Sequence, residues 1–369
     1  MKKILKTVLL INALGLSCVF ASGSQFGLIN QSLGNILVPY SASGVSRSYE
    51  IAHMDSMQLN MKNFATWTDI SRTTLFLNSG YDAIFGENRV ETSFIEKANF
   101  QGVAIGIPII KRQLTFGLGL QPFTSIEHRV LNTLDQGGYD ISENYNISGG
   151  LSKANFNFAY KLNDMWAVAL GYEFTFGRID REIKSDINTP VPTQIEMSIK
   201  TQFSGHGIVL SVISNPLPNL NVGLMLKPSV LGKLTKSGNS ISEVLNTQEI
   251  LDTSIPTEIN FGLEYNLSDI YALGFDLTYQ DWKKGYEIEG ANIDDYNTYY
   301  YLGFGFERKG SGRRFVKYLE QIDYRAGLFY SQLAYLNNTE SVVEYGVSAG
   351  LSVPIQRFRS KIDLGGFIS

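Results

Sequence analysis

Long stretches of the chain alternate apolar residues with small or polar ones, with a period of two. In MWAVALGYEFTFG, Trp166, Val168, Leu170, Tyr172, Phe174 and Phe176 fall on one face, and Ala167, Ala169, Gly171, Glu173 and Thr175 on the other. TEINFGLEY sets Ile259, Phe261, Leu263 and Tyr265 against Glu258, Asn260, Gly262 and Glu264. DIYALGFDLTYQDW sets Tyr271, Leu273, Phe275, Leu277 and Tyr279 against Gly274, Asp276, Thr278 and Gln280. Successive side chains of a strand point to opposite faces, so this pattern predicts strands. They fall at about 72–82, 98–109, 113–130, 149–161, 165–181, 194–213, 220–234, 254–266, 270–286, 297–308, 321–335, 341–354 and 361–369, thirteen in all. Tight links at 111–112, 163–164, 215–219 and 267–269 alternate with long polar links at 82–97, 131–147, 182–193, 235–253 and 286–297.

Soluble β-sandwiches alternate as well. Their second face meets water and carries Lys, Thr and Arg, whereas here it is dominated by Gly, Ala, Ser, Asn and single carboxylates. Many segments exceed the roughly five or six residues of soluble strands, and aromatics gather near their ends. These features favour an all-β fold, a transmembrane antiparallel barrel with its apolar side to lipid and its small side to the lumen, over a soluble β-protein.

The N-terminus changes the compartment. Lys2, Lys3 and Lys6, the apolar run VLLINALGLSCVF and the small residues at Val19-Phe20-Ala21 predict a signal peptide over 1–21. Cys18 raises a lipoprotein reading, but Gly15 stands where the lipobox carries an aliphatic residue. Cleavage removes the single cysteine and takes the net charge from −4 to −7, which excludes a disulfide framework and argues against a nucleic-acid partner. No later stretch is apolar for long enough to form a spanning helix. Residues 22–70 are Ser-, Asn- and Gly-rich and poorly periodic; they fit either an inserted plug or a disordered arm. The barrel itself is expected over 71–369.

IPTEINFGLEYNLSDIYALGFDLTYQDW resembles the outer-membrane long-chain fatty acid transport family (FadL/TodX type). The resemblance rests on Pro256 before an alternating strand with a central Gly262, then a strand with inward Asp276, Tyr279 and a closing Trp282. GLGLQPFTS resembles the family's third strand, with Pro122, Phe123 and Thr124. The family's Asn-Pro-Ala hatch motif is matched in part by Asn63-Phe64-Ala65, without its proline. The resemblance implies a plugged barrel of about 14 strands, an even number as single-chain barrels have. Thirteen are counted here, so either a chain lacking its final strand or a barrel with a gap between 72–82 and 361–369 is expected, unless 308–321 hides a short strand or helix that the count misses. It also implies a kink in the third strand that opens the wall laterally. Pro122 has no N–H to give the ladder, so it suits such a kink, although it equally suits a plain bulge at the barrel rim.

Catalytic chemistry finds little support. His53, His128 and His206 lack metal-ligand spacing. SGHG at 204–207 mimics one element of a Ser–His site, but the apolar phase shifts between Phe203 and Ile208, which a glycine-flanked bulge explains. Gly310-Ser311-Gly312 lacks the strand–loop–helix setting of a phosphate loop. Lumenal Glu173, Glu258, Glu264, Asp276, Asp323 and Arg325 read as a solvated wall-bracing network. Tyr139 and Tyr145 either line an external apolar groove or are ordinary surface aromatics.

The expected function is non-enzymatic: passive uptake of a hydrophobic small molecule, a fatty acid or aromatic hydrocarbon, across the bacterial outer membrane. The protein is expected to act as a monomer among outer-membrane lipids, with no cofactor or metal. A weakly selective porin for polar solutes and a structural or adhesive barrel are the alternatives.

Overall fold

The computed structural model describes residues 33–37, 41–87, 92–136, 139–187, 193–239, 249–292, 296–311, 316–337, 340–355 and 360–369. The expected signal peptide lies outside them. A two-residue strand β1 (Asn35–Ile36), helix α1 (Ala42–Arg47) and a 3-10 turn (Phe64–Asp69) precede the wall. The wall then runs β2 (Thr74–Glu87), β3 (Thr92–Ile110), β4 (Leu114–Pro122), β5 (Thr124–Gln136), β6 (Tyr139–Lys161), β7 (Trp166–Ile187) and β8 (Thr193–Leu217). It continues with β9 (Leu220–Lys227), β10 (Val230–Asn239), β11 (Glu249–Ile255), β12 (Glu258–Asn266) and β13 (Tyr271–Asp281). After helix α2 (Trp282–Gly285) and short strands β14 (Glu287–Ile288) and β15 (Ala291–Asn292) come β16 (Thr298–Arg308), β17 (Asp323–Asn337), β18 (Glu340–Ile355) and β19 (Ser360–Ile368). The pairs β4/β5, β9/β10 and β11/β12 are each one pass broken at or beside a proline, so the described wall has thirteen passes.

Every ladder is antiparallel, as tight hairpins require. The wall's ends pair inward, β2 with β3 and β19 with β18. The segment 308–321 holds a 3-10 turn at Tyr318–Gln321.

The long polar links are not all loops. The ladders run on to Glu87↔Thr92, Gln136↔Tyr139 and Ile187↔Thr193, so these links are hairpins. β6, β7 and β8 reach 23, 22 and 25 residues. A tilted spanning strand needs only about 9–11, so their upper halves stand clear of the membrane. There the outward positions turn polar, which ends the outward apolar run while leaving the hydrogen bonds in place.

The same change of surroundings explains the phase shift near His206. β8 is not bulged against β7, whose ladder is unshifted from Trp166↔Ser214 to Ile187↔Thr193; the one-residue slip on its other edge lies in the β9/β10 break, between Leu226↔Leu210 and Leu231↔His206. Outward positions below this level are apolar, with Leu170, Tyr172, Ile208 and Leu210 exposed. Above it they are Ser204, Gln202, Lys200, Arg178 and Lys233, while Phe203, Ile179 and Leu234 turn inward and are buried. The outward apolar band ends at His206, and that marks the membrane boundary.

Residues 41–70 pack inside the wall. Tyr49, Ile51, Leu59, Phe64, Trp67 and Ile70 are fully buried. Ser41 caps α1 by accepting from the Gly44 N–H, and Asn63 caps the 3-10 turn by accepting from the Ala65 N–H. The plug backbone lies directly on the wall: a Cβ at Gly305 would overlap the Arg47 carbonyl. The lumenal carboxylates expected to be solvated are therefore buried. Glu173, Glu264 and Asp276 are at most 1% exposed, because the plug displaces the water that would solvate them.

Candidate functional site at the kink of the third pass

β4 pairs with β3 up to Val103↔Leu120 and with β6 up to Pro122↔Ser152. There the ladder breaks, because proline has no N–H to donate. The Phe123 N–H donates to the Leu151 carbonyl at 2.7 Å, and β5 then resumes against β6 from Ile126↔Gly149. Gly150 (φ 157°) permits the bend, since a Cβ there would overlap the Thr124 carbonyl.

Above the kink the second and third passes part. In the described pairings, residues 92–102 of β3 pair with β2, and β5 pairs with β6 and with the short β1. β1 thus occupies the edge of β5 that faces the notch, through Ile36↔Thr124 and Asn35↔Ser125. The Leu37 N–H donates to the Phe123 carbonyl at 2.9 Å, and the Leu33 N–H to the Tyr296 hydroxyl at 2.9 Å. The Thr124 hydroxyl donates to the Leu33 carbonyl and accepts from the Leu151 N–H, tying plug strand to wall.

Phe123 points inward and stacks on Trp282 with centroids 6.1 Å apart; Trp282 in turn stacks on Tyr296 at 5.4 Å. Leu33, Phe203, Val230, Leu234 and Ile255 extend this into an apolar vestibule. Its floor is charged. Lys153 lies 3.6 Å over the Phe123 ring and 3.2 Å from Glu173, and Lys227 lies 3.5 Å from both Glu173 and Glu258. Lys62, from the plug, reaches the same cavity, and burial pushes its ammonium down to about 8. Lys62, Lys153 and Lys227 face Glu173 and Glu258, and Asp276 and Glu50 also act on Lys62. The cavity between Pro122, Phe123, Tyr299 and the lysines holds only about 20 Å³. Among the described residues, Gln121 Oε1 beside it and Trp282 Nε1 are buried without a hydrogen-bond partner.

The structure thus brings Pro122, Phe123, Thr124 and Trp282 together but sends the other motif residues elsewhere. Asp276 is fully buried and accepts from the Glu50 and Ile51 N–H groups at 2.7 and 3.1 Å, holding the plug. Asn63 Nδ2 donates to the Ile51 and Val212 carbonyls at 3.0 Å, and Phe64 and Ala65 are buried beside it. Tyr279 faces outward, Gly262 lies under the plug at Ile51, and Pro256 marks the β11/β12 break. Lys62, Lys153 and Lys227 escape sequence reading; Lys153 and Lys227 give a signal as cations on the inward phase of their strands, with Asn155 and Asn157 and with Gly223 and Met225, but Lys62 gives none.

A second charged set secures the plug. Arg47 and Arg325 converge on Glu307 at 3.2 and 2.6 Å, His53 meets Glu264 at 2.6 Å, and Lys361 meets Asp55 at 3.0 Å. Among the described residues no group of three His, Cys, Asp or Glu is placed to hold a metal. The His128 and Tyr139 side chains lie outside the described residues, and the Tyr145 hydroxyl donates to Glu143.

The sequence matches the family model described as BamG over residues 24–368. A comparison with curated proteins finds no match. Among solved structures it is similar to a Pseudomonas aeruginosa FadL homologue, at 15% identity and TM-score 0.64, covering 90% of each chain. It is also similar to the P. putida toluene transporter TodX, at 14% identity and TM-score 0.54, covering 88% of this chain and 91% of that one. At these identities the likeness is one of fold.

Proposed function

The chain belongs to the BamG family, and from that premise and its FadL-like barrel we propose that it takes up hydrophobic small molecules passively across a bacterial outer membrane, through the wall at Pro122. The observation that carries this reading is the notch. Above Pro122 the β3–β5 backbone pairing stops; among the described residues the freed edge of β5 is paired by the two-residue β1 and bridged from β3 by Lys97, 3.0 Å from Glu127 and 3.2 Å from the Ser125 hydroxyl. A solute adsorbed from outside enters the aromatic vestibule, displaces Leu33–Leu37, and leaves between β3 and β5 into lipid. Unpaired backbone is tolerated there because it lines a cavity rather than facing acyl chains. Apolar burial of about 25 cal/mol per Å² drives the transfer, and no energy source or cofactor is required.

The likeness to TodX, a toluene transporter, supports an apolar cargo. The lysines of the vestibule floor, Lys62, Lys153 and Lys227, suit a cargo with an anionic head, such as a fatty acid. At about 20 Å³ the cavity is far below the roughly 300 Å³ of a small-ligand pocket, so the resting protein is closed and β1 is the stopper. A porin for polar solutes fits poorly, because residues 41–70 fill the lumen. One observation favours a structural barrel instead: the plug is locked to the wall by buried ion pairs.

Pro122→Ala tests the reading. Alanine supplies the missing N–H and lets the ladder close, so fatty-acid uptake into reconstituted vesicles should fall severalfold while assembly is retained. Unchanged uptake would leave Pro122 a simple bulge. Lys62 supplies a pH test. Its ammonium is charged below about 8 and neutral above. Affinity for a long-chain carboxylate should therefore hold from pH 6 to 7.5 and fall as pH rises through about 8, while an uncharged hydrocarbon of similar size shows no such step. Titration by tryptophan quenching would show both.

A further inference from the structure

The outer surface of β7, β8 and β10 carries a feature that transport does not use. His206 lies on the lipid-facing side of β8, exposed, at the level where the outward apolar band ends. An ionisable residue on such a surface is unfavourable unless it meets a partner, and here it is held in place. The Tyr172 hydroxyl is hydrogen-bonded to His206 Nδ1. The imidazole lies between the Tyr172 ring, 5.9 Å away and stacked, and the Phe174 ring at 5.0 Å; Phe174 stacks on Phe176 at 5.4 Å. This fixes the ring and leaves Nε2 free of the Tyr172 contact.

A cation stands one step further out. His206 pairs in register with Leu231, and Lys233, two residues on along the same face, pairs with Ser204. Diagonal neighbours of this kind lie about 7–8 Å apart at the backbone, within reach of one bridging group. Lys233 is exposed and makes no ion pair among the described residues, although Asp252 lies opposite it in the ladder. Arg178, by contrast, is engaged by Asp180 at 2.8 Å.

We propose that His206 and Lys233 form a binding site for the phosphate of an outer-leaflet lipid headgroup, with Leu231, Tyr172 and Ile208 against its acyl chains. The chemistry fits. A phosphate accepts from an imidazole N–H and an ammonium together, and both donors sit at headgroup depth with apolar and aromatic surface directly below. The site is independent of whether the barrel transports.

The test uses the full-length purified barrel in detergent, with diphosphoryl lipid A as the probe and native mass spectrometry as the readout. Dephosphorylated lipid A and inorganic phosphate are the comparison arms. The wild type should retain the diphosphoryl lipid. The double variant His206→Gln with Lys233→Gln should weaken retention by about tenfold or more, the scale of losing a charge-assisted contact. Heat-modifiable migration of the variant checks that it is folded. Should it fail to fold, Lys233→Gln alone, which alters only an exposed chain, serves in its place and should weaken retention severalfold. Inorganic phosphate should not displace the lipid. Equal retention by folded variant and wild type, equal binding of the dephosphorylated lipid, or displacement by millimolar phosphate would each overturn the proposal.

Discussion

Replacing Glu307 with glutamine should release the plug from an otherwise intact barrel. Glu307 is 2% exposed and neutralises Arg47 of α1, with Arg325 of β17 on the same oxygen. Arg325 keeps Asp323 and Asp363 at 3.3 and 3.1 Å, so it stays compensated. Arg47 keeps the Tyr49 carbonyl at 2.8 Å but loses its paired carboxylate. Breaking a buried pair from one side costs about 3–5 kcal/mol. The wall ladders do not depend on that pair, so the loss should fall on the plug. Limited proteolysis of reconstituted protein should cut within 41–70 in the variant and spare it in the wild type. Glu196→Gln, which loosens an exposed pair with Lys184, should leave protection unchanged.

Gly305→Ala should have an effect of similar size by a steric route. The added Cβ would overlap the Arg47 carbonyl, which is backbone of a capped helix and cannot swing aside as a side chain would. Overpacking costs typically 1–3 kcal/mol and more where backbone must move, so about 3 kcal/mol is expected here. The matched control is Gly366→Ala, where nothing lies within 4 Å of the new methyl. Thermal unfolding followed by tryptophan fluorescence should show a lowered plug transition for Gly305→Ala and none for the control, since Trp67 sits in the plug. Equal transitions would mean that α1 is not seated on β16.

These two variants show which parts of the molecule the chain discloses on its own. The wall is legible because lipid imposes a period of two, and runs such as TYYYLGFGFE place Gly303 and Gly305 inward without ambiguity. The reason for those glycines is not legible, because the plug backbone that presses on them comes from some 260 residues earlier. The Arg47–Glu307 pair is hidden for the same cause. Alternation also fails above the membrane. There the lipid that wrote the pattern is absent, so continuous hairpins pass for polar links, and the switch from outward Ile208 to inward Phe203 passes for a bulge. Pro122 is the opposite case: a missing N–H is a local property, and the ladder breaks beside it. The lysines of the vestibule floor stand between these extremes. Lys153 and Lys227 lie on the inward phase of their strands, but that Lys62 joins them depends on how the plug is threaded.

If solute leaves through the notch by displacing β1 from β5, fixing β1 to β5 must stop transport. Asn35 and Ser125 face each other in that short ladder, so Asn35→Cys with Ser125→Cys, in a Cys18→Ser background, can lock the stopper reversibly. The measurement is uptake of a long-chain fatty-acid probe into lipopolysaccharide-coated vesicles, made on the same preparation oxidised and then reduced, with the crosslink verified by mass. Uptake should fall to the protein-free rate when oxidised and recover on reduction. Equal uptake in both states, with the crosslink complete, would contradict exit through the notch.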